Sequence, residues 1–583
     1  MKTIWGEHLR ESSILPEYPR PQLKRNSYLN LNGPWQFYMG PAEKKPDKLP
    51  ETILVPFSPE SELSGIQRKK ESGDVLCYRR SFTLPDGFMR GRLLLHFGAV
   101  DLVATVSVNG RECGTHRGGY WPFTYDITDL LREKNVIEVL VEDDGAETYL
   151  DARGKQSDTP GGIWYTAQSG IWQTVWLESV PERYITGLKV TPLFDEEAVR
   201  IEIEANAPGK CLIHLDGMIY AAAAGTPVHV PVERMRPWSP EDPYLYSFSV
   251  SFGEDRVESY FGMRKCSMEK DQDGVPRLCL NNKPLFHNGL LDQGYWPDGL
   301  YTAPAEAAMV CDIQTMKALG FNMLRKHIKI EPLRWYYLCD TMGMLVWQDM
   351  VSGGGPYRPG VILVPVAGIL PHRVDSSYKA FGRRSEGSRL RYYEELDETV
   401  KLLYNCPSIV MWVPFNEGWG QFDALEAVRR IRALDSTRTI DHASGWHDQG
   451  GGDVFSRHVY FRKFRYKKDR GGRAAVLSEF GGYACGVEGH RWSKKDFGYK
   501  MFDREEDLTA GIVKLYDREI RPAKAQGLAA AVYTQVSDVE EEINGLLTYD
   551  RKELKVIPDD VIAMNKRLMA EAAEPLALDQ EQH

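Results

Sequence analysis

The chain has 583 residues, of which 42% are hydrophobic and 26% charged, a composition typical of folded globular proteins rather than disordered ones. Its net charge of −10 argues against nucleic acid as a partner, because that partner requires a concentrated basic surface. The nine cysteines include no CxxC pair, which argues against a disulfide framework or a zinc ribbon. With no apolar leader and no apolar stretch of membrane length, we expect no membrane partner and a cytoplasmic location.

Two regions of short alternating runs come first along the chain. Residues 1–181 contain RLLLHF at 92–97 and VATVSV at 103–108, followed by the hairpin dipeptide Asn109-Gly110. This pattern predicts an antiparallel β-sandwich of the jelly-roll type. Residues 182–265 continue the alternation in a smaller unit, for which we predict an Ig-like β-sandwich.

The pattern changes after residue 265, where short apolar runs alternate with helix-like stretches. The runs are residues 323–324, 344–347, 409–413, 454–455, 474–477 and 529–533. Parallel strands that are buried on both faces have this appearance. We therefore predict a (β/α)8 TIM barrel over residues 266–583, with a loop instead of a helix between strands 5 and 6. Residues 351–390, rich in Gly, Pro and Arg, are predicted to form an insertion over the barrel mouth.

Two of the predicted barrel strands end in a glutamate, and glycine comes within the next two residues. One is residues 412–420 (WVPFNEGWG), which contain Glu417, and the other is residues 476–482 (VLSEFGG), which contain Glu479. In TIM barrels the functional groups lie at the carboxyl ends of the strands. Two carboxylates that converge on one barrel mouth form the machinery of glycoside hydrolysis, with one acting as acid and the other as nucleophile or base.

Several segments in order resemble glycoside hydrolase family 2, which contains β-galactosidases, β-glucuronidases and β-mannosidases. The matching segments are residues 31–37 (LNGPWQF), 116–123 (HRGGYWPF), 169–176 (SGIWQTVW) and 261–265 (FGMRK), together with Asn416-Glu417 and Glu479. The resemblance implies a retaining enzyme with Glu417 as general acid/base and Glu479 as nucleophile. Retention requires carboxyl groups about 5–5.5 Å apart, against about 6.5–9.5 Å for inversion.

The resemblance and the strand-end positions together predict the substrate-binding residues. In the family pattern, Asn416 binds the sugar 2-hydroxyl and Arg325 supports the nucleophile. His327 lies one residue earlier than the family's Arg-x-x-His pattern places its histidine, so its contact with the sugar is left open. The other predicted contacts are Asp292, Asp349, Trp419, Trp446, His458, Tyr460, Tyr533 and Gln535.

Two absences bear on the substrate. Family glucuronidases carry an Asn-x-Lys that binds the sugar carboxylate, whereas residues 540–544 here read EEEIN. Large β-galactosidases have a Glu-x-His magnesium site after strand 3, which residues 347–353 (WQDMVSG) lack. We therefore expect no metal or other cofactor and a neutral terminal sugar.

The resemblance puts β-galactosidase first among the neutral-sugar specificities, with α-L-arabinofuranosidase or another family specificity as the alternative. A carbohydrate-binding protein without catalytic activity is the competing class. The resemblance also leaves a homo-oligomer open, although no feature of the sequence sets its stoichiometry.

Overall fold

The computed structural model describes residues 1–143, 150–368 and 373–570 of the chain. Residues 369–372 of the predicted insertion and residues 571–583 of the predicted barrel domain lie outside the described residues. Among the described residues, no helix is both long enough and apolar enough to span a membrane.

The first part of the chain folds into two facing antiparallel sheets. Their alternating strands bury Leu93, Leu95, Val106 and Val139 in a shared core. The four-stranded sheet has the order Tyr28–Asn30, Val175–Val180, Arg92–Phe97 and Phe123–Asp126. The six-stranded sheet has the order Glu51–Val55, Gly33–Pro41, Asp74–Phe82, Asn135–Glu142, Val103–Val108 and Arg111–Arg117.

A smaller sandwich follows the first one. Its three-stranded sheet consists of Ile185–Leu193, Ala198–Ala205 and Val228–Pro231. Its four-stranded sheet has the order Met218–Ala223, Lys210–Leu215, Tyr246–Phe252 and Asp255–Phe261. A short three-stranded sheet of Cys266–Lys270, Pro276–Leu280 and Lys283–Pro284 leads into the last region.

The last region is an eight-stranded parallel barrel, so the predicted architecture of two sandwiches and a TIM barrel is confirmed. Barrel strands 1 to 8 are His287–Asp292, Met323–Lys326, Leu345–Asp349, Ile409–Val413, Thr439–Ile440, Val454–Val459, Ala474–Gly481 and Leu528–Thr534. Ladder hydrogen bonds connect them in the order 5-4-3-2-1-8-7-6. Asp453 bridges the two edge strands, because its backbone N–H donates to Ile440 O at 2.9 Å and its carboxylate accepts from Ile440 N at 2.7 Å.

Helices pack around the barrel and connect most of its strands. They are Glu306–Ala318, Leu333–Met342, Glu386–Leu403, Ala424–Leu434, Glu505–Leu515, Arg521–Gln526 and Pro558–Met569. No helix separates strands 5 and 6, as the glycine-rich sequence of residues 444–452 predicts. The insertion carries a further short helix, Gly360–Val366, and its Val361 carbonyl accepts a hydrogen bond from His447 of the strand-5 loop at 2.8 Å.

Candidate active site

Glu417 lies in a tight turn just after barrel strand 4. Its φ of 50° and the φ of 74° at Gly418 reverse the chain, and the Glu417 N–H donates to Ser444 O at 2.9 Å. A Cβ at position 418 would come within 2.7 Å of the His447 ring. Glycine is therefore required here by backbone conformation and by space, and it holds the Glu417 side chain at the barrel mouth.

Glu479 belongs to strand 7 itself, and hydrogen-bond donors surround its carboxylate. The guanidinium of Arg325 donates to Oε1 at 3.1 Å, and the Tyr460 hydroxyl donates to Oε2 at 2.5 Å. The Tyr460 ring stacks on Tyr499 with centroids 3.8 Å apart, which fixes the direction of this hydroxyl. Donors of this kind favour the ionised form of a carboxyl group.

The two glutamates face each other across a short gap. Carboxylate oxygens of Glu417 and Glu479 and a ring nitrogen of His458 all lie within 4.8 Å of one another. His458 Nδ1 is 2.8 Å from Glu417 Oε1 and 3.5 Å from Glu479 Oε2. This spacing fits a sugar carbon between two carboxyl groups and is too short for the intervening water of an inverting enzyme.

His458 is neutral, and its proton is on Nδ1. Burial lowers the pKa of His458 to about 4, although the charge of Glu479 opposes the shift. Its Nε2 is 3.4 Å from Arg325 Nη1. Because a guanidinium only donates, Nε2 carries the lone pair and Nδ1–H points at the carboxylates. Glu417 Oε1 accepts this hydrogen bond, which leaves Oε2 to carry the proton of an acid.

Arg325 on strand 2 organises the floor of the site. It binds Asp349 through two hydrogen bonds of 2.9 and 3.1 Å, and it donates to Asn416 Oδ1 at 2.8 Å. The amide of Asn416 therefore directs its Nδ2 away from the guanidinium, and this nitrogen has no protein partner among the described residues. A buried donor without a partner is suited to a ligand oxygen.

Burial raises the pKa of both carboxyl groups. The pKa of Glu417 rises to about 7 mainly through desolvation, which the charges of Lys155 and Arg325 partly offset. Desolvation also raises the pKa of Glu479, while His458, Arg325 and Tyr460 oppose the shift. Since more donors reach Glu479 than Glu417, Glu417 is the group that keeps a proton.

A pocket opens above Glu417. Its walls include Trp419 and Trp446, whose indole N–H groups have no hydrogen-bond partner in the described chain. Trp164, from the first sandwich, packs on Trp419 with ring centroids 5.3 Å apart. Tyr357 of the insertion completes another side. Aromatic faces and unpaired donors suit a sugar, which presents apolar C–H faces and hydroxyl oxygens.

Some predicted substrate contacts have protein partners instead. Asp349 accepts from both Arg325 and His327, the latter at 2.7 Å, so it positions those side chains. Asp292 pairs with Lys326 at 2.8 Å. These two aspartates therefore support the site without facing the pocket, although each follows a barrel strand as predicted.

Two predictions at the end of strand 8 also need correction. The fully buried Tyr533 packs in the outer core against Phe480, with ring centroids 5.6 Å apart, and does not line the pocket. Its position at the end of strand 8 predicted a place in the pocket wall, because residues at strand ends usually face the barrel mouth. Side chains along a strand point alternately to its two faces, however, and the side chain of Tyr533 points outward. Gln535 binds Gln293 and Asn544, each at 2.7 Å, and has no unpaired polar atom.

The sequence prediction did not include several residues in or beside the pocket. Trp164 of the first sandwich, Tyr357 of the insertion and Tyr499 of the segment after strand 7 line the pocket but do not lie in the barrel strand-end motifs. Lys155, on a loop of the first sandwich, has its ammonium 5.8 Å from the ring centroid of Trp419, which lines the pocket. No local pattern marks such residues, because loop conformation brings Tyr357 and Tyr499 to the site and the packing of the first sandwich on the barrel brings Trp164 and Lys155 there.

In the described part of the chain, Glu417, His458 and Glu479 form a cluster that could offer three ligand atoms to a metal ion. Both oxygens of Glu479 already accept hydrogen bonds, and a guanidinium lies 3.1 Å away. A cation would be repelled by that charge, so the donor set favours a proton and a sugar over a metal. The expectation that activity needs no metal stays a prediction.

Comparisons with known proteins agree with this geometry. Three family models match in order: the glycosyl hydrolase 2 galactose-binding domain-like model over residues 60–168, the glycosyl hydrolases family 2 model over 184–264, and the family 2 TIM barrel domain over 275–469. A β-galactosidase of Lactococcus lactis is 27% identical over 77% of this chain, and a β-glucuronidase of Paenibacillus borealis is 25% identical over 73%. The matched stretch spans only 42% of the Lactococcus protein and 73% of the Paenibacillus one.

Solved structures show the same fold along nearly the whole chain. A β-glucuronidase from an uncultured Clostridium superposes with a TM-score of 0.71 at 20% identity, covering 94% of this chain and 99% of its own. A β-galacturonidase from Eisenbergiella tayi gives a TM-score of 0.71 at 18% identity, covering 95% and 99%. With three consecutive family models matched to the two sandwiches and the barrel, this chain belongs to glycoside hydrolase family 2.

Proposed function

We propose that the protein is a retaining exo-glycosidase that removes a terminal sugar through a covalent glycosyl-enzyme. The observation that carries the proposal is the pair of buried glutamates with carboxylate oxygens within 4.8 Å, one of which is rich in donors and the other poor. That separation suits a double displacement at one carbon. Two similar proteins are named β-galactosidase and β-glucuronidase, and both names support the same class of reaction.

The two carboxyl groups have different tasks in the proposed reaction. Glu479 attacks the anomeric carbon while Glu417 gives its proton to the glycosidic oxygen, so the leaving group departs neutral. Glu417, now ionised, then takes a proton from water, and the resulting hydroxide oxygen displaces Glu479 from the sugar. The net change is hydrolysis with retained configuration, and both groups return to their starting states.

Asn416 and the aromatic pocket are proposed to hold the sugar. The unpaired Nδ2 of Asn416 suits the sugar 2-hydroxyl, and a hydrogen bond there strengthens as positive charge develops on the ring. Trp164 and the insertion close the pocket to one side, which supports removal of single terminal residues rather than cleavage within a long chain.

A panel of nitrophenyl glycosides tests the reaction class. The panel covers β-galactoside, β-glucoside, β-glucuronide, β-galacturonide and α-L-arabinofuranoside, and we expect turnover of at least one. Glu479→Gln should abolish that turnover, and a matching 2-fluoro glycoside should label the peptide that contains Glu479. Binding across the panel without any turnover would favour the competing carbohydrate-binding class, and a label elsewhere would contradict the assignment of the nucleophile.

A further inference from the structure

Lys155 places a positive charge beside the pocket, next to the ring of Trp419, which forms part of the pocket wall. It lies on a loop of the first sandwich, and only 5% of the residue is exposed. Its ammonium is 5.3 Å from the ring centroid of Tyr165 and 5.8 Å from that of Trp419, so it sits between the sandwich and the barrel mouth. The charge helps to lower the pKa of His327 and opposes the rise at Glu417, both mainly shifted by burial.

This ammonium differs from the other buried lysines of the described chain. Lys326 binds Asp292 and Glu331, and Lys555 binds Asp538, while Lys329 also reaches Glu331. For Lys155, by contrast, the described residues provide neither a carboxylate at ion-pair distance nor a hydrogen-bond acceptor for the ammonium. A buried cation without an anion is costly, and contact with two aromatic rings offsets only part of that cost.

The nearby acidic stretch does not supply the missing anion. Glu540 accepts from Thr166 N at 2.9 Å, and Glu541 accepts from Gly162 N at 3.0 Å. Glu542 accepts from the Tyr165 hydroxyl and from Asn544 Nδ2. These carboxylates therefore hold the loop of the first sandwich against the barrel.

We propose that Lys155 binds a carboxylate on the terminal sugar, so that the preferred substrates are uronosides. The proposal deepens the proposed function and rests on it. It reverses the neutral-sugar prediction, which was based on the lack of a lysine in residues 540–544. The cation comes instead from the first sandwich. The glutamates of residues 540–544, whose charge argued against a uronate, form hydrogen bonds with the first sandwich.

Matched substrate pairs test the proposal. The pairs are 4-nitrophenyl β-galacturonide with β-galactoside, and β-glucuronide with β-glucoside. We expect the wild-type kcat/KM to favour the acid of at least one pair by tenfold or more. Lys155→Met should lower that acid-to-neutral ratio at least tenfold, mostly through KM, and Lys155→Arg should restore part of it. Lys210→Met, which removes an exposed charge from the second sandwich, is the matched control and should leave the ratio unchanged.

A binding measurement separates this proposal from the proposed function. Calorimetry with the Glu479→Gln protein compares free galacturonate and glucuronate with galactose and glucose, and it needs no turnover. Uronate binding that disappears in Glu479→Gln/Lys155→Met supports the proposal even if every nitrophenyl glycoside is inert. A wild-type preference for neutral sugars, an acid-to-neutral ratio unchanged by Lys155→Met, or the absence of any uronate binding would overturn it while leaving retaining hydrolysis intact.

Discussion

The two buried glutamates of the site differ in how many hydrogen-bond donors reach their carboxylates. Among the described residues, Glu479 accepts hydrogen bonds from the Arg325 guanidinium and the Tyr460 hydroxyl, whereas Glu417 accepts one only from Nδ1–H of the neutral His458 ring. Because each donor stabilises the ionised form, the arrangement separates a base from an acid without any difference in residue type. Both are buried, so the donors decide the difference.

The pKa of Glu417 predicts the alkaline limb of the activity profile. Burial raises this pKa to about 7, so the group is protonated below that pH and loses its acid function as the pH rises above it. We expect kcat/KM for a nitrophenyl glycoside to fall above about pH 7, and to fall again at low pH as Glu479 becomes protonated.

The control for this pH profile is Glu417→Gln. On a 2,4-dinitrophenyl glycoside, whose leaving group needs no proton, the variant should keep kcat/KM but lose the alkaline limb. If the limb persists in the variant, another group is responsible for it.

Arg325 is predicted to contribute to stability as well as activity. Arg325→Met would leave Asp349 buried without its cation, and such a loss costs about 3–5 kcal/mol of unfolding free energy. The midpoint temperature of thermal unfolding should decrease. The value of kcat/KM should decrease as well, because Glu479 and Asn416 also lose a hydrogen-bond partner.

Arg92→Met provides the comparison, since Arg92 forms surface ion pairs with Asp126 and Glu182. Surface pairs contribute about 0–1 kcal/mol, so this variant should unfold almost as the wild type does. Equal losses in the two variants would refute the assigned role of Arg325.

At the scale of elements, the sequence predicts strands better than helix faces. Barrel strands are buried on both faces, so continuous apolar runs mark them directly, as at Ile409–Val413. The spacing of Leu425, Val428, Ile431 and Leu434 predicts a helix that buries these side chains. Helix Ala424–Leu434 is present, but Leu425 is 53% exposed while Ala424, Ala427 and Ile431 are buried. Close packing against the barrel selects small side chains there, which a count of large apolar residues overlooks.

The turn after strand 4 is predicted to be intolerant of any side chain at position 418. Gly418→Ala adds a Cβ that would lie 2.7 Å from the His447 ring, in addition to the cost of a left-handed backbone, about 1–2 kcal/mol. Displacement of Glu417 by about 1 Å is expected to lower kcat/KM on the order of 100-fold.

Gly217→Ala is the matched control for this substitution. Gly217 has a φ of 77° but no neighbouring atom within 4 Å, so it carries the backbone cost alone. The thermal midpoint of the Gly217→Ala variant should decrease slightly, and its kcat/KM should not change. A comparable loss of activity in both variants would show that global stability, not the position of Glu417, is affected.

At the scale of the whole molecule, the site is formed by more than one domain. Strand-end motifs within the barrel predict Glu417 and Glu479 because both follow local patterns in the sequence. Trp164 reaches the pocket, and Lys155 reaches the ring of Trp419 beside it, only through contacts between segments far apart in the chain. One such contact is the hydrogen bond from Gly162 N to Glu541. Such contacts produce no periodic pattern in the sequence. The residues at the floor of the site could therefore be predicted from the sequence, but those of the pocket wall could not.

The contact between Tyr165 and Glu542 is predicted to keep the first sandwich in place over the barrel mouth. Tyr165→Phe removes a hydroxyl that donates to a carboxylate with 1% exposure, and loss of such a bond costs about 1–3 kcal/mol. If about 1 kcal/mol of that cost falls on the closed pocket, KM rises roughly fivefold. The reacting groups remain in the barrel, so kcat should change little.

Tyr38→Phe, which removes a hydroxyl bonded to Pro41 within the same sandwich, is the control and should leave KM unchanged. A fall in kcat at constant KM would instead mean that Tyr165 acts on the reacting groups, and the sandwich would then have no separate part in holding the substrate.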